Sequence, residues 1–171
     1  MTPNTKLVTI TIGGNDVNYI GTALACGQPN STCVQSTNPA ETNAEFEALP
    51  QSLASLVGLA QSKAPSATVV LVTYVRLVPP TDCPALNFSP VAAQLVGSMG
   101  QRLEATFVAV AKQTHILLAD PYVRGADHGL CTAGGSRWVA GAIAPNGFPY
   151  HPTAAGHTEM AALVESLVSS R

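Results

Sequence analysis

Charge is scarce in this sequence. Asp, Glu, Lys and Arg together make up 11% of 171 residues and the formal net charge is -2, so no basic surplus is available to hold a phosphate backbone, and nucleic acid is excluded as a partner. Long hydrophobic runs are also missing. Polar residues break each apolar run well short of a bilayer span, which predicts a chain with no transmembrane segment. No signal peptide is legible, because Met1-Thr2-Pro3-Asn4-Thr5-Lys6 leads directly into an apolar strand. The four cysteines lack the paired short spacing of a zinc site, and His151, His157 and Glu159 lack the His-Glu-x-x-His spacing. No metal and no organic cofactor is therefore expected. Internal repeats and low-complexity tracts are absent too.

What is present reads as one domain over 1–171, long enough to bury a core. Leu7-Val8-Thr9-Ile10-Thr11-Ile12 is β-branched and apolar throughout, as expected of a strand covered on both faces in a parallel sheet. A short helical stretch over 17–24 follows. A helix is predicted over about 43–63, striped by Phe46, Leu49, Leu53, Leu56, Val57 and Ala60, with Pro50 bending it or marking its start. Residues 67–73 form a second apolar strand, and the crossover helix between the two makes them parallel. A proline-rich loop over 74–88 could wall a cleft. Ser89 then caps, and Pro90 opens, a helix to about residue 113 with Leu95, Met99, Leu103, Phe107 and Val110 on one stripe. Residues 116–119 give a third strand, 120–150 a long Gly- and Pro-rich loop of the kind that forms functional lids, and 153–169 a last amphipathic helix. Strands alternating with helices predict a doubly wound α/β sheet.

Two stretches carry chemistry. The first strand runs into Gly13-Gly14-Asn15-Asp16, where glycines permit a tight turn at the carboxyl end of the sheet and the Asn15 amide can donate to a developing oxyanion. Its plain alternative is a turn with Asp16 capping the next helix. Near the other end, Phe148-Pro149-Tyr150-His151-Pro152 precedes the last helix. That turn would hold an imidazole rigidly over the sheet as a general base. His115 and His128 have no motif around them, and His157 falls on the final helix in a structural position.

The pair, in this order, resembles the SGNH (GDSL-type) hydrolases. The resemblance implies a flavodoxin-like three-layer fold and a serine-type esterase or lipase acting on a small-molecule or lipid ester. It also implies Asn15 in the oxyanion hole and His151 as base. The family usually places an Asp three residues before the catalytic His, where this chain has Phe148; the secreted actinobacterial branch uses a backbone carbonyl, a role the Phe148 carbonyl is expected to fill. Trp138 resembles the tryptophan that branch carries in the same loop. The cysteines allow three pairings. Joining loop to loop, and the likeness to that branch's bridges, selects Cys26–Cys33 and Cys83–Cys131, hence a secreted or cell-envelope location.

One family feature is missing. The family's nucleophile lies in a Gly-Asp-Ser motif on a strand preceding the Gly-x-Asn-Asp turn, and this chain has neither that motif nor a Gly-x-Ser-x-Gly elbow. Ser98 falls within a predicted helix and Ser136 in a loop without a preceding strand. The resemblance implies an amino-terminally truncated domain lacking its first strands, with residues 7–12 left as an aggregation-prone edge. Two functions follow: the base and oxyanion part of a serine ester hydrolase, or an inactive fragment or ligand-binding module that keeps only the cleft.

Overall fold

The computed structural model describes residues 1–79, 83, 86–145 and 147–170. Strands β1 (Leu7–Ile10), β2 (Thr68–Val72) and β3 (Leu117–Ala119) form a single sheet in the order β1-β2-β3. Both pairs are parallel, with Leu7 opposite Thr68 and Val70 opposite Leu117. Six α-helices accompany them among the described residues: α1 (Tyr19–Cys26), α2 (Cys33–Ser36), α3 (Pro39–Lys63), α4 (Pro90–Thr114), α5 (Pro121–Arg124) and α6 (Ala154–Ser169).

Strand β2 divides the core in two because successive side chains point to opposite faces. Val69 and Leu71 pack with the stripes of α3 and α4, including Phe46, Leu53, Leu103 and Phe107. Val70 and Val72 pack with Val164 of α6, flanked by Met160, Leu163 and Leu167. Helix, sheet and helix layers result, the doubly wound α/β arrangement expected. Burial of these apolar side chains supplies most of the driving force.

Several local expectations are corrected. Strand β1 is not covered on both faces: Leu7 is 42% exposed and Thr9 is exposed too, because α6, which covers that face of the sheet, packs on Val70, Val72 and Ala119 of β2 and β3. Asp16 does not cap α1; that helix starts later, with Asn18 in the left-handed region at its N-cap. Helix α3 begins at Pro39, four residues before the predicted start, because Asn38 caps it by accepting from Ala40 and Glu41 N–H. Pro50 lies inside it and does not mark its start. The long loop before His151 contains α5 and two single turns of 3₁₀ helix, Ala126–His128 and Gly134–Ser136.

Other boundaries agree closely. Ser89 accepts from Ala92 N–H at 3.2 Å and Pro90 opens α4. Thr153 caps α6 by accepting from Gly156 N–H at 3.1 Å. The disulfides are Cys26–Cys33 and Cys83–Cys131, the pairing expected. The first joins α1 to α2, and the second ties the loop after β2 to the long loop before His151. Residues 80–82, 84 and 85 of the proline-rich loop, and residue 146, lie outside the described residues.

Candidate active site

The turn after β1 is built by its glycines. Gly13 has φ +104°, in the left-handed region that favours glycine, and a Cβ there would meet Leu49 Cδ1 at 2.9 Å. A Cβ on Gly14 would meet the phenol of Tyr74 at 2.9 Å. Gly14 N–H instead donates to that phenol oxygen at 2.9 Å. Tyr74, just beyond β2, is thereby fastened to the β1 turn. Its hydroxyl pKa is raised by burial, the Gly14 bond opposes this, and the Asp16 carboxylate adds to the rise. The next residue, Asn15, is exposed, as is Asp16.

His151 is held by a second turn. Ala140 N–H donates to the His151 carbonyl at 2.8 Å, Tyr150 N–H to the Ala140 carbonyl at 3.2 Å, and Val139 and Pro152 form an antiparallel bridge. Tyr150 lies between, at φ +59° and 3% exposed, its ring 5.6 Å from that of Phe88. A non-glycine residue in the left-handed region is a local strain that surrounding packing must hold. Below this turn, Gly156 of α6 lies against the Trp138 carbonyl, where any Cβ would collide with backbone. Thr153 N–H donates to the same carbonyl at 2.9 Å.

The carbonyl facing the imidazole is that of Pro149, 2.9 Å from Nδ1. The expectation for Phe148 is corrected: its carbonyl accepts His151 backbone N–H at 3.2 Å, and the left-handed Tyr150 turns the chain so that the oxygen two residues back meets the ring. A carbonyl can only accept, so in the neutral ring the proton sits on Nδ1 and the lone pair on Nε2. Phe148 itself is 75% exposed, its ring 5.8 Å from that of His151.

Asn15 and His151 line one cleft of about 390 Å³, together with Gly14, Tyr19, Ile20, Tyr74, Leu77, Tyr150 and Met160. The proline-rich loop supplies part of its wall through Tyr74, Val75 and Leu77. His157, expected to be structural, is exposed on α6 and also borders the cleft. Gly13 and Asp16 shape the turn without lining the cleft. Hydroxyls among the described lining residues belong to Thr11, Tyr19, Tyr74 and Tyr150. Ser98 lies on α4, its hydroxyl donating to the Leu95 carbonyl at 2.8 Å, and Ser136 lies on an exposed 3₁₀ turn; neither lines the cleft. Among the described residues no group of three or more His, Cys, Asp or Glu is placed to hold a metal ion.

Two features escaped the sequence reading. His128 stacks on Trp138 with ring centroids 4.6 Å apart, its Nδ1 2.7 Å from the Ser136 carbonyl. A larger cleft of about 640 Å³ lies against α4 and residues 76–79, away from Asn15 and His151. Arg76 and Glu104 border it; Arg76 lies 4.4 Å over the Tyr122 ring, its Nε buried without a hydrogen-bond partner among the described residues. No sequence motif marks either feature.

Relatives with matching chains share this arrangement at the level of fold. The chain is 29% identical over 156 residues to a lipase of Streptomyces rimosus, and 30% identical over 161 residues to Lipase 1 of Streptomyces coelicolor. It spans 57% and 58% of those curated relatives, which cover 91% and 92% of it. The crystal structure of the extracellular lipase from Streptomyces rimosus superposes with a TM-score of 0.81 at 28% identity, over 96% of this chain and 70% of that one. Phospholipase A1 from Streptomyces albidoflavus gives 0.78 at 26% identity, over 97% and 70%. The model of the GDSL-like lipase/acylhydrolase family matches residues 2–158, and the chain belongs to that family.

Proposed function

We propose that this chain forms the base and oxyanion side of a serine-type ester hydrolase, its nucleophile supplied from outside these 171 residues. The observation carrying this is the bond from His151 Nδ1 to the Pro149 carbonyl in the cleft that Asn15 also lines. That bond fixes the tautomer with Nε2 able to take a serine proton. As serine Oγ bonds to the ester carbonyl carbon, Nε2 accepts the hydroxyl proton. The Asn15 side-chain amide donates to the forming oxyanion. Gly14 N–H is already bonded to Tyr74, so Asn15 is the donor on this side of the cleft. When the ester C–O bond breaks, His151 returns its proton to the leaving alkoxide, and water then releases the acyl group by the same route. A carbonyl behind the ring gives the imidazolium less charge stabilisation than a carboxylate would.

The substrate class is an ester with an acyl chain, small or lipidic, because the cleft walls are mainly aromatic and aliphatic. The disulfides and the extracellular relatives favour a secreted or cell-envelope setting.

The test joins the chain at its amino end to a family segment carrying the Gly-Asp-Ser strand. Intact mass after a fluorophosphonate and hydrolysis of a p-nitrophenyl ester are then followed, with His151→Ala as control. One adduct on the supplied serine, with turnover lost in the control, is expected. A joined chain that melts cooperatively with both disulfides formed, yet neither labels nor turns over, would leave a ligand-binding module without chemistry.

A further inference from the structure

Arg76 follows the end of β2 and borders the larger cleft of about 640 Å³, together with Glu104 of α4 and Tyr122 of α5. Its guanidinium carbon stands 4.4 Å from the centre of the Tyr122 ring. A ring contact engages the face of that planar group, while its N–H donors point along the plane and stay available. Nε is buried without a hydrogen-bond partner among the described residues. A buried charged donor left unbonded costs free energy that an acceptor entering the cleft would restore. The nearby carboxyl groups are otherwise engaged. Asp120 Oδ1 accepts from the Thr73 hydroxyl at 2.8 Å and from Val123 N–H at 3.2 Å. Burial and Asp120 hold Glu104 toward its protonated form, in which it offers a donor of its own.

Charge decides which acceptor suits the cleft. A guanidinium fork matches the paired oxygens of a carboxylate or a phosphate. A phosphate dianion would set two negative charges beside Glu104 and Asp120, whereas a carboxylate sets one and can accept the Glu104 proton. Val78, Ala93, Gly97 and Val123 border the same cleft and suit an aliphatic body. Gln94, Ser98 and Gln101 border it too and are exposed to water, which keeps that body short.

We propose that this cleft is a binding site for a short aliphatic carboxylate, its oxygens accepting from Arg76 and from the Glu104 carboxyl and its alkyl body resting on Val78, Ala93 and Val123. Neither Asn15 nor His151 borders the cleft. The inference therefore goes beyond the hydrolase reading and does not need it, since binding here requires no turnover.

Sodium butyrate is titrated into the full, oxidised, nitrogen-15-labelled chain at about pH 6, where butyrate is ionised. Backbone amide resonances of residues 76, 78, 98 and 104 are expected to shift saturably. Butyramide, with the same body and no charge, and inorganic phosphate should each bind at least about tenfold more weakly. Arg76→Gln should weaken butyrate at least about tenfold, and matching thermal melts exclude misfolding as a cause. The titratable and charged groups facing Glu104 are Arg76, Asp120 and Tyr122. Butyrate affinity should fall as pH rises and Glu104 loses its proton, and Glu104→Gln should bind butyrate without that fall. Absence of a saturable shift at these residues overturns the proposal, as do equal binding of butyramide, unchanged affinity in Arg76→Gln, the same fall with pH in Glu104→Gln, or shifts confined to the surroundings of Asn15 and His151.

Discussion

The Pro149 carbonyl sits 2.9 Å from Nδ1 of His151, so the main chain itself aims the imidazole. Tyr150, the residue between them, makes this possible through its left-handed backbone and its buried ring. Its hydroxyl oxygen is buried without a hydrogen-bond partner among the described residues, and burial raises its pKa. Removing that hydroxyl relieves an uncompensated polar group, so Tyr150→Phe should leave stability unchanged or raise it by up to about 1 kcal/mol. Tyr150→Ala removes the ring that anchors the turn and should cost about 3–5 kcal/mol. Urea unfolding of the oxidised chain measures both. A Phe variant as damaged as the Ala variant would contradict the orphaned hydroxyl.

Thr73, directly after β2, is 1% exposed and makes two bonds through one oxygen. It donates to Asp120 Oδ1 at 2.8 Å and accepts from Tyr122 N–H at 3.1 Å. Thr73→Val keeps the shape and strands a buried amide, a loss of about 1–3 kcal/mol. Thr73→Ser keeps both bonds and loses one methyl, about 1 kcal/mol. Denaturant midpoints for the pair should fall in that order.

The two disulfides should differ in worth. They close sequence separations of 7 for Cys26–Cys33 and 48 for Cys83–Cys131. Loop-closure entropy in the unfolded chain then gives about 2 kcal/mol for the first and about 4 kcal/mol for the second. Paired Cys→Ser replacements, followed by calorimetry, should show the larger drop in Tm for the second bridge.

Glu104 provides a pH signature. Burial raises its carboxyl pKa and Asp120 adds to the rise, while Arg76 opposes it. The folded chain therefore holds this proton more tightly than the unfolded chain. Stability from this group is present below the ordinary carboxylate value and is lost as pH rises through the raised one. Glu104→Gln should raise Tm at about pH 8 and leave it nearly unchanged at about pH 4. A gain confined to acid would reverse the assigned sign.

The sequence carried the architecture because its signals were redundant. Helix α4 shows a Ser89 cap, Pro90 at its first position and an apolar stripe, and it forms within one residue of its expected end. Helix α3 had the stripe, but its start is set by Asn38 and Pro39 outside the stripe, so hydrophobic periodicity placed it four residues late. Strand β1 read as doubly covered because composition records what a strand prefers to bury, not which neighbours it has. At the site, the Gly13-Gly14-Asn15-Asp16 and His151-Pro152 motifs named residues, and Asn15 and His151 do share a cleft. The orienting oxygen was displaced by one residue because no sequence signal reveals that Tyr150 adopts φ +59°.

The Cys83–Cys131 bridge also governs how the chain would fare among proteases. One backbone cut anywhere between 84 and 130 leaves the oxidised chain a single covalent molecule. A cut between 132 and 150 instead frees a cysteine-less fragment carrying His151 and all of α6. Ala133, Gly134, Gly135 and Ser136, all exposed, sit in that second interval, in the small-residue surface loop that proteases favour. A cut in this four-residue strip would release the imidazole, and shielding the strip would remove that route.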